Sequence, residues 1–412
     1  MHSLDFIQDL AVLMLAAGFI SILFHRLNQP VVLGYILAGI IIGPHTPPFS
    51  FISNQENIQT LAQLGVVFLM FSLGLEFSFR DLQKVGAAVS VIAIGEIIVM
   101  LWLGYEIGKA FHWRMVDALF LGGILAISST TIIVKALKEL DLEKKDFSQL
   151  IYGILIVEDL LGIAIIAVLS GIAKSGSVGF NDVLLTMGKL ILFLIITTLI
   201  GLYTIPKILR YVAVFHSRET LLITMLSLCF GFCLLVIKME YSIALGAFLI
   251  GAIMAESRHE VKIIRQLTAP VRDMFSAIFF VSVGLLLDPA VVMEHTLAII
   301  VITIAVVLGK VITCSLGSLL VGKDGKTSLR VGMGMAQIGE FSFIIAGLGL
   351  TLNVTSSFIY PIAVAVSVMT TFLTPYFIRS ADPLANCIAK KLPRSTISFF
   401  EKYRDRIQHK VK

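Results

Sequence analysis

Apolar residues run through this chain in long blocks separated by short polar punctuation. The blocks cover residues 4–24, 29–43, 58–78, 85–109, 115–138, 149–173, 184–209, 217–237, 240–256, 273–288, 293–320, 329–350 and 356–378. A helix needs ~20 mostly apolar residues to cross the hydrocarbon of a bilayer. Most blocks approach that length, so the pattern predicts an all-α polytopic membrane protein with about thirteen transmembrane helices. The second and tenth blocks are short, and twelve helices result if two neighbouring blocks form one broken helix.

Composition supports this reading. Of 412 residues, 57% are hydrophobic and 14% charged, with a mean hydropathy of +0.95; soluble domains carry roughly 25% charged residues. A soluble core could not enclose that much apolar surface, which excludes most soluble enzymes. The net charge of +5 does not point to nucleic acid, because the basic residues are spread among the apolar blocks. Their distribution orients the chain instead. With the N-terminus outside, 26 of the 32 lysines and arginines fall in inner loops and the tail, 5 fall outside, and Lys310 lies within a span. The positive-inside rule then predicts a multi-pass protein of a bacterial-type inner (plasma) membrane, N-terminus outside and C-terminus cytoplasmic. The N-terminus has no positive region before its apolar block, so a retained first span is expected. The basic tail, 379–412, interleaves Ile397, Phe399, Phe400 and Tyr403 with its charges. It is expected to lie as an interfacial helix on anionic lipids. Cys229, Cys233, Cys314 and Cys387 form no CxxC pair, and no cofactor is expected.

Charges inside the membrane are the natural place to look for function. An ionisable side chain there costs ~2.5–3.5 kcal/mol on the lenient insertion scale. Glu76, Glu106, Glu256 and Asp288 sit at block ends and read as interfacial caps. Glu158 and Asp159 lie mid-block, in Val157-Glu158-Asp159-Leu160-Leu161. Successive helix positions point ~100° apart, so one carboxylate can face an internal partner while the other faces an aqueous path. Lys310, deep in Gly309-Lys310-Val311, must find a carboxylate. Glu158 is the first candidate partner and Asp159 the second, with Glu96 a further one. Glu340 is another acid that reads as buried.

Two blocks have polar centres. Ile127-Ser128-Ser129-Thr130-Thr131 places four hydroxyls in mid-span, and Gly332-Met-Gly334-Met-Ala-Gln337-Ile-Gly339-Glu340-Phe-Ser342 is broken by glycines. Hydroxyls can replace an interrupted backbone ladder, and corresponding interrupted spans in two halves mark an inverted-repeat transporter. Seven spans separate the two centres. The first six spans then map onto the last six in opposite orientation, with 184–209 as the connector.

At this point the residues resemble those of the monovalent cation:proton antiporter-2 family, which includes the Kef potassium-efflux systems and bacterial sodium/proton antiporters. The resemblance rests on Ile127-Ser-Ser-Thr-Thr131, Val157-Glu-Asp159, Gly246-Ala-Phe-Leu-Ile-Gly-Ala252, Phe279-Phe-Val-Ser-Val-Gly-Leu285 and Gln337-Ile-Gly-Glu-Phe-Ser-Phe343. It implies inverted repeats with two crossed broken helices, a homodimer and an elevator-type mechanism. Residues 1–78 and 217–288 would form the dimerisation scaffold, and 85–173 with 293–378 the moving core. It also implies that Asp159 holds Na⁺ or K⁺ and a proton alternately, that Ser129 and Thr130 line that site, and that Lys310 pairs with Glu158. Ser128, Thr131, Gln337, Glu340 and Glu96 are secondary candidates. Glu158 departs from the Gln or Asn that many relatives carry before the aspartate, which leaves ion and stoichiometry open.

The resulting expectation is a proton/monovalent-cation antiporter, not an enzyme; a cation channel or a regulated potassium-efflux membrane domain is the alternative. Gly322-Lys-Asp-Gly-Lys-Thr327 imitates the end of a phosphate loop but lacks its first glycine and preceding strand, and reads as a tight turn.

Overall fold

A computed structural model describes residues 2–27, 29–46, 51–52, 55–76, 86–142, 144–175, 180–215, 217–239, 241–257 and 261–391. Its regular structure is entirely helical: α1 (His2–Arg26), α2 (Val31–Ile42), α3 (Gln55–Glu76), α4 (Ala87–Ala110), α5 (Met115–Ala126), α6 (Thr130–Glu139), α7 (Asp146–Ser175), α8 (Phe180–Ala213), α9 (Arg218–Lys238), α10 (Ile243–Ala255), α11 (Val261–Leu285), α12 (Pro289–Glu294), α13 (Thr296–Leu320), α14 (Gly325–Gly334), α15 (Glu340–Thr351) and α16 (Ile359–Lys391). Among the described residues, eight helices are long and apolar enough to cross a bilayer, and five shorter apolar ones accompany them. Every apolar block holds a helix, and the two blocks with polar centres each hold two: α5 with α6, and α14 with α15.

Two helices outrun their blocks. The tenth block begins at 273, whereas α11 starts at Val261. Its early turns carry Arg265 and Arg272, which suggest a loop by composition. Both are used inside the fold: Arg265 Nη2 donates to the Leu75 carbonyl at 2.5 Å, and Arg272 pairs with Glu76 at 3.4 Å. Likewise α16 continues past 378 to Lys391, held by Asp382, which receives Arg330 Nε at 2.6 Å and Lys326 Nζ at 3.7 Å. The rest of the basic tail, from 392, lies outside the described residues. The turn at 321–324 is tight as expected: Gly322 has φ 85°, and Asp324 caps α14 by accepting from the Thr327 N–H at 3.0 Å.

The chain divides into two compact units, residues 1–83 with 163–289 and residues 84–162 with 290–412. In the first unit, α1, α2, α3 and α11 close around Leu13, Ala17, Ala38, Ile42, Leu61, Ile278 and Val281. Its helices cross at glycines. A Cβ on Gly39 of α2 would fall on the Val281 carbonyl of α11, beside Gly284; a Cβ on Gly74 of α3 would fall on the Phe248 carbonyl of α10, beside Gly251. Small residues let helix backbones approach closely in a membrane. These two crossings are counterparts. Gly251 and Gly284 follow Gly39 and Gly74 by about 210 positions, as an inverted repeat requires.

The second unit repeats the relation. Gly104 of α4 packs against Gly122 of α5, and Gly332 of α14 packs against Val311 and Ser315 of α13. Again the spacing between counterparts is about 210 positions.

Gly39→Val and Gly74→Val should each cost more than the ~1–3 kcal/mol of ordinary overpacking, because the obstruction is backbone that no rotamer can move. Gly95→Ala, which meets nothing within 4 Å, should leave stability unchanged. Thermal unfolding in detergent measures both; a Gly39→Val protein as stable as the parent would refute the close crossing.

Candidate functional site

In the second unit the breaks occupy 127–129, between α5 and α6, and 335–339, between α14 and α15. Ile127 is extended (φ −111°, ψ 126°), as is Gly339 (φ −133°, ψ −155°). A helix that stops leaves carbonyls unpaired at one end and N–H groups at the other. Hydrocarbon offers no water to satisfy them. Buried side chains do it here. At the end of α5, Ser342 Oγ donates to the Ile124 carbonyl at 2.6 Å and Lys310 Nζ donates to the Ala126 carbonyl at 3.1 Å. At the start of α6, the Ser128 N–H donates to Glu158 Oε2 at 2.8 Å, and the Ile132 N–H to Ser129 Oγ at 3.3 Å. The cation thus meets the negative end of one half-helix and the carboxylate the positive end of the other. Glu340 opens α15 and occupies the positive end of that half-helix too.

The second break closes onto the first. Ser128 Oγ donates to the Met335 carbonyl at 3.4 Å, Gln337 Nε2 to the Ser129 carbonyl at 3.3 Å, and Ser129 Oγ to Glu340 Oε2 at 2.7 Å. Gly339 allows this approach, since a Cβ there would fall on Ser129 Cα. From α16, Ser367 Oγ donates to the Ile338 carbonyl at 3.3 Å.

Lys310 corrects the expected pairing. Its Nζ lies 2.6 Å from Glu96 Oε1 and also donates to Ser128 Oγ at 3.0 Å. Its ion-pair partner is Glu96, not Glu158. Two causes are visible. Glu158 is drawn to the Ser128 N–H at the start of α6. Meanwhile α13 packs on α4, Gly309 against Met100 and Gly317 against Ile92. Glu96 sits one turn from each of those α4 residues and so shares their face.

Asp159 stands apart from its neighbour. Thr130 Oγ1 donates to its two oxygens at 3.2 and 3.0 Å. Asp159 is 6% exposed and Glu340 9%, whereas Glu158 and Lys310 are at 0% and Glu96 at 1%. The structure therefore gathers Asp159, Glu158, Ser128, Ser129, Thr130, Lys310, Glu96, Gln337 and Glu340 around the two breaks. Thr131 follows Thr130 in α6, and its side chain lies outside the described residues.

The sequence profile described as "Sodium/hydrogen exchanger, transmembrane" matches residues 11–379. The chain belongs to that family. This sodium/hydrogen exchanger family member is a multi-pass membrane transporter rather than an enzyme, and its relatives place it in the monovalent cation:proton antiporter-2 branch. It is 30% identical over 373 residues to the Na(+)/H(+)-K(+) antiporter GerN of Bacillus cereus, covering 90% of this chain and 95% of that protein. K(+) efflux antiporter 5 of Arabidopsis thaliana is 31% identical over 380 residues, covering 90% of this chain and 66% of the relative. The solved structure of the sodium proton antiporter MjNhaP1 from Methanocaldococcus jannaschii has the same fold, with a TM-score of 0.71, 14% identity, and coverage of 94% and 99%.

The exchanger-family chain also holds groups that the sequence reading missed. Asp117, 1% exposed in the first turn of α5, accepts from Arg114 Nε at 3.0 Å and from the Ser356 N–H at 2.7 Å. An acid in a first helical turn was the available signal. Ser367 is one of several buried hydroxyls on α16, which read as ordinary span residues.

Lys310→Ala leaves Glu96 buried without its cation and should cost about 3–5 kcal/mol. Adding Glu96→Gln should recover more of that loss in thermal unfolding than adding Glu158→Gln, because Glu96 holds the direct ion pair. Greater recovery by Glu158→Gln would return the pair to its first assignment.

Proposed function

We propose that this protein is a secondary antiporter that exchanges protons for Na⁺ or K⁺ across the membrane, with cation and proton competing for Asp159. One observation carries the reading. Two adjacent carboxylates on α7 are put to different uses, Glu158 on the backbone of the break and Asp159 beside the Thr130 hydroxyl with some residual exposure. A carboxylate and hydroxyl oxygens are hard ligands suited to a small hard cation, and a proton on Asp159 removes the charge that holds it. Competition of that kind couples the two fluxes without any direct contact between the ions. Ser129 and Glu340 extend the oxygen-rich surroundings. The names of GerN and K(+) efflux antiporter 5, both antiporters of monovalent cations, agree with the reading.

Alternating access would be of the elevator type, the unit that carries Asp159 moving against a dimerised scaffold formed by the other. The N-terminus would face outward, and the basic C-terminal tail would meet anionic lipid on the cytoplasmic side. The rival is a cation channel built on the same residues.

Purified protein in liposomes with an imposed pH gradient tests this. Addition of Na⁺ or K⁺ should dissipate the gradient, and Asp159→Asn should abolish the response while thermal unfolding still reports folded protein. Exchange that survives in Asp159→Asn sinks the assignment, and unitary currents would establish the channel instead.

A further inference from the structure

Hydroxyls buried in membrane helices ordinarily bond to the carbonyl one turn back. Ser170, Ser282, Thr268, Thr370 and Thr374 all do so, at 2.7–2.9 Å. Ser315 and Ser318 of α13 and Ser328 of α14 do not. Their Oγ atoms are buried without a partner among the described residues. All three lie on the helices whose close packing sets Gly332 against Ser315 and Val311. Ser318 continues a stripe with Lys310 and Cys314, every fourth residue of α13, and all three are 0% exposed. At the inner end of that stripe, Glu96 Oε2 is a further buried oxygen without a donor among the described residues, as is Oε1 of the neighbouring Glu158.

The other half of the chain supplies an internal control. The counterpart interface, α4 on α5, carries Gly104, Ile107 and Ala118 where α13 and α14 carry Ser315, Ser318 and Ser328, about 210 positions later. Gly104 there meets Gly122, and Gly108 meets Ala118. The same close-packed geometry is reached without a hydroxyl, so packing does not call for these serines. A buried polar group left unsatisfied costs about 1–3 kcal/mol. Three such groups on two packed helices require a partner that the described residues do not provide.

We propose that water occupies the α13–α14 interface in a file along Ser328, Ser318 and Ser315, leading from the turn at 321–324 to the Lys310–Glu96 pair and giving that pair proton access separate from Asp159. Successive turns of α13 are about 5.4 Å apart. One bridging water spans that gap with two hydrogen bonds of ~2.8 Å each. Proton access rests on the antiport reading above; the water file does not.

The two parts have separate tests. In a background with Cys229, Cys233, Cys314 and Cys387 replaced by alanine, Ser318→Cys and Ser328→Cys should react with a small water-soluble methanethiosulfonate reagent at least tenfold faster than Ile107→Cys. Ile107 is the buried counterpart position, so equal rates, or no reaction at either serine position, would overturn the water file. In liposomes, Ser318→Val should lower the maximal exchange rate about tenfold with the KM for the cation unchanged, and Ser318→Thr, which keeps the hydroxyl, should recover most of it. A native rate in Ser318→Val, or a rise in KM that accounts for the loss, would overturn the proton role. If the parent protein exchanges neither Na⁺ nor K⁺ for protons, the antiport reading fails while the labelling result stands.

Discussion

Backbone groups exposed by a helix break in hydrocarbon must find partners, and the rest of the second unit follows from that need. Each orphan N–H or C=O costs several kcal/mol where no water can reach it. Lys310, Glu158, Ser129 and Ser342 supply the partners at 127–129. Lys310 in turn needs a counter-charge, since an unpaired ammonium at that depth is costlier than the carbonyl it satisfies. Glu96 provides it, and this sets the register of α4 against α13. The glycine contacts at Gly309 and Gly317 keep those two helices close enough for a 2.6 Å ion pair. One interruption in a hydrogen-bond ladder thus commits two further helices.

The same need separates two chemically similar carboxylates. Glu158 and Asp159 are consecutive, so a helix points them about 100° apart. Glu158 meets the start of α6 and is 0% exposed; Asp159 meets a hydroxyl and keeps 6%. A group that completes a buried backbone cannot easily leave it. In the proposed mechanism the other is the one that takes up and releases cargo. The half-helix ends sharpen this division, because the start of α6 leaves the Ser128 N–H for Glu158 to accept.

Much of this was legible in the chain. Apolar blocks located the helices, four successive hydroxyls at 128–131 marked one break, and the glycines around Gln337 marked the other. The misreadings have physical causes. Arg265, Arg272 and Arg379 lower the hydropathy of segments that are helical all the same, because their charges are met by Leu75 and Glu76 for α11, and because Asp382 anchors the continuation of α16. The Lys310–Glu96 pair spans 214 positions, and no periodicity within α4 or α13 states how one helix sits against the other. A mid-span lysine announces that a carboxylate must be near. It does not say which of three candidate acids supplies it.

The inverted repeat makes the remaining asymmetry informative. Counterpart glycines at 39 and 251, 74 and 284, and 122 and 332 show how closely the two halves share a framework. Where only packing is at stake, the halves agree. They part at the chemistry: Glu158 and Asp159 correspond to Val368 and Met369, and Ser318 to Ile107. The first residue of each second half-helix is Thr130 in one half and Glu340 in the other. A framework with two-fold symmetry offers equivalent paths to both faces of a membrane, so direction-dependent properties have to come from residues that break the symmetry. The acid pair lies in one half, and the buried lysine with its line of hydroxyls, unpartnered among the described residues, lies in the other. Their convergence on a single break, rather than the break itself, is what makes this otherwise symmetric fold chemically one-sided.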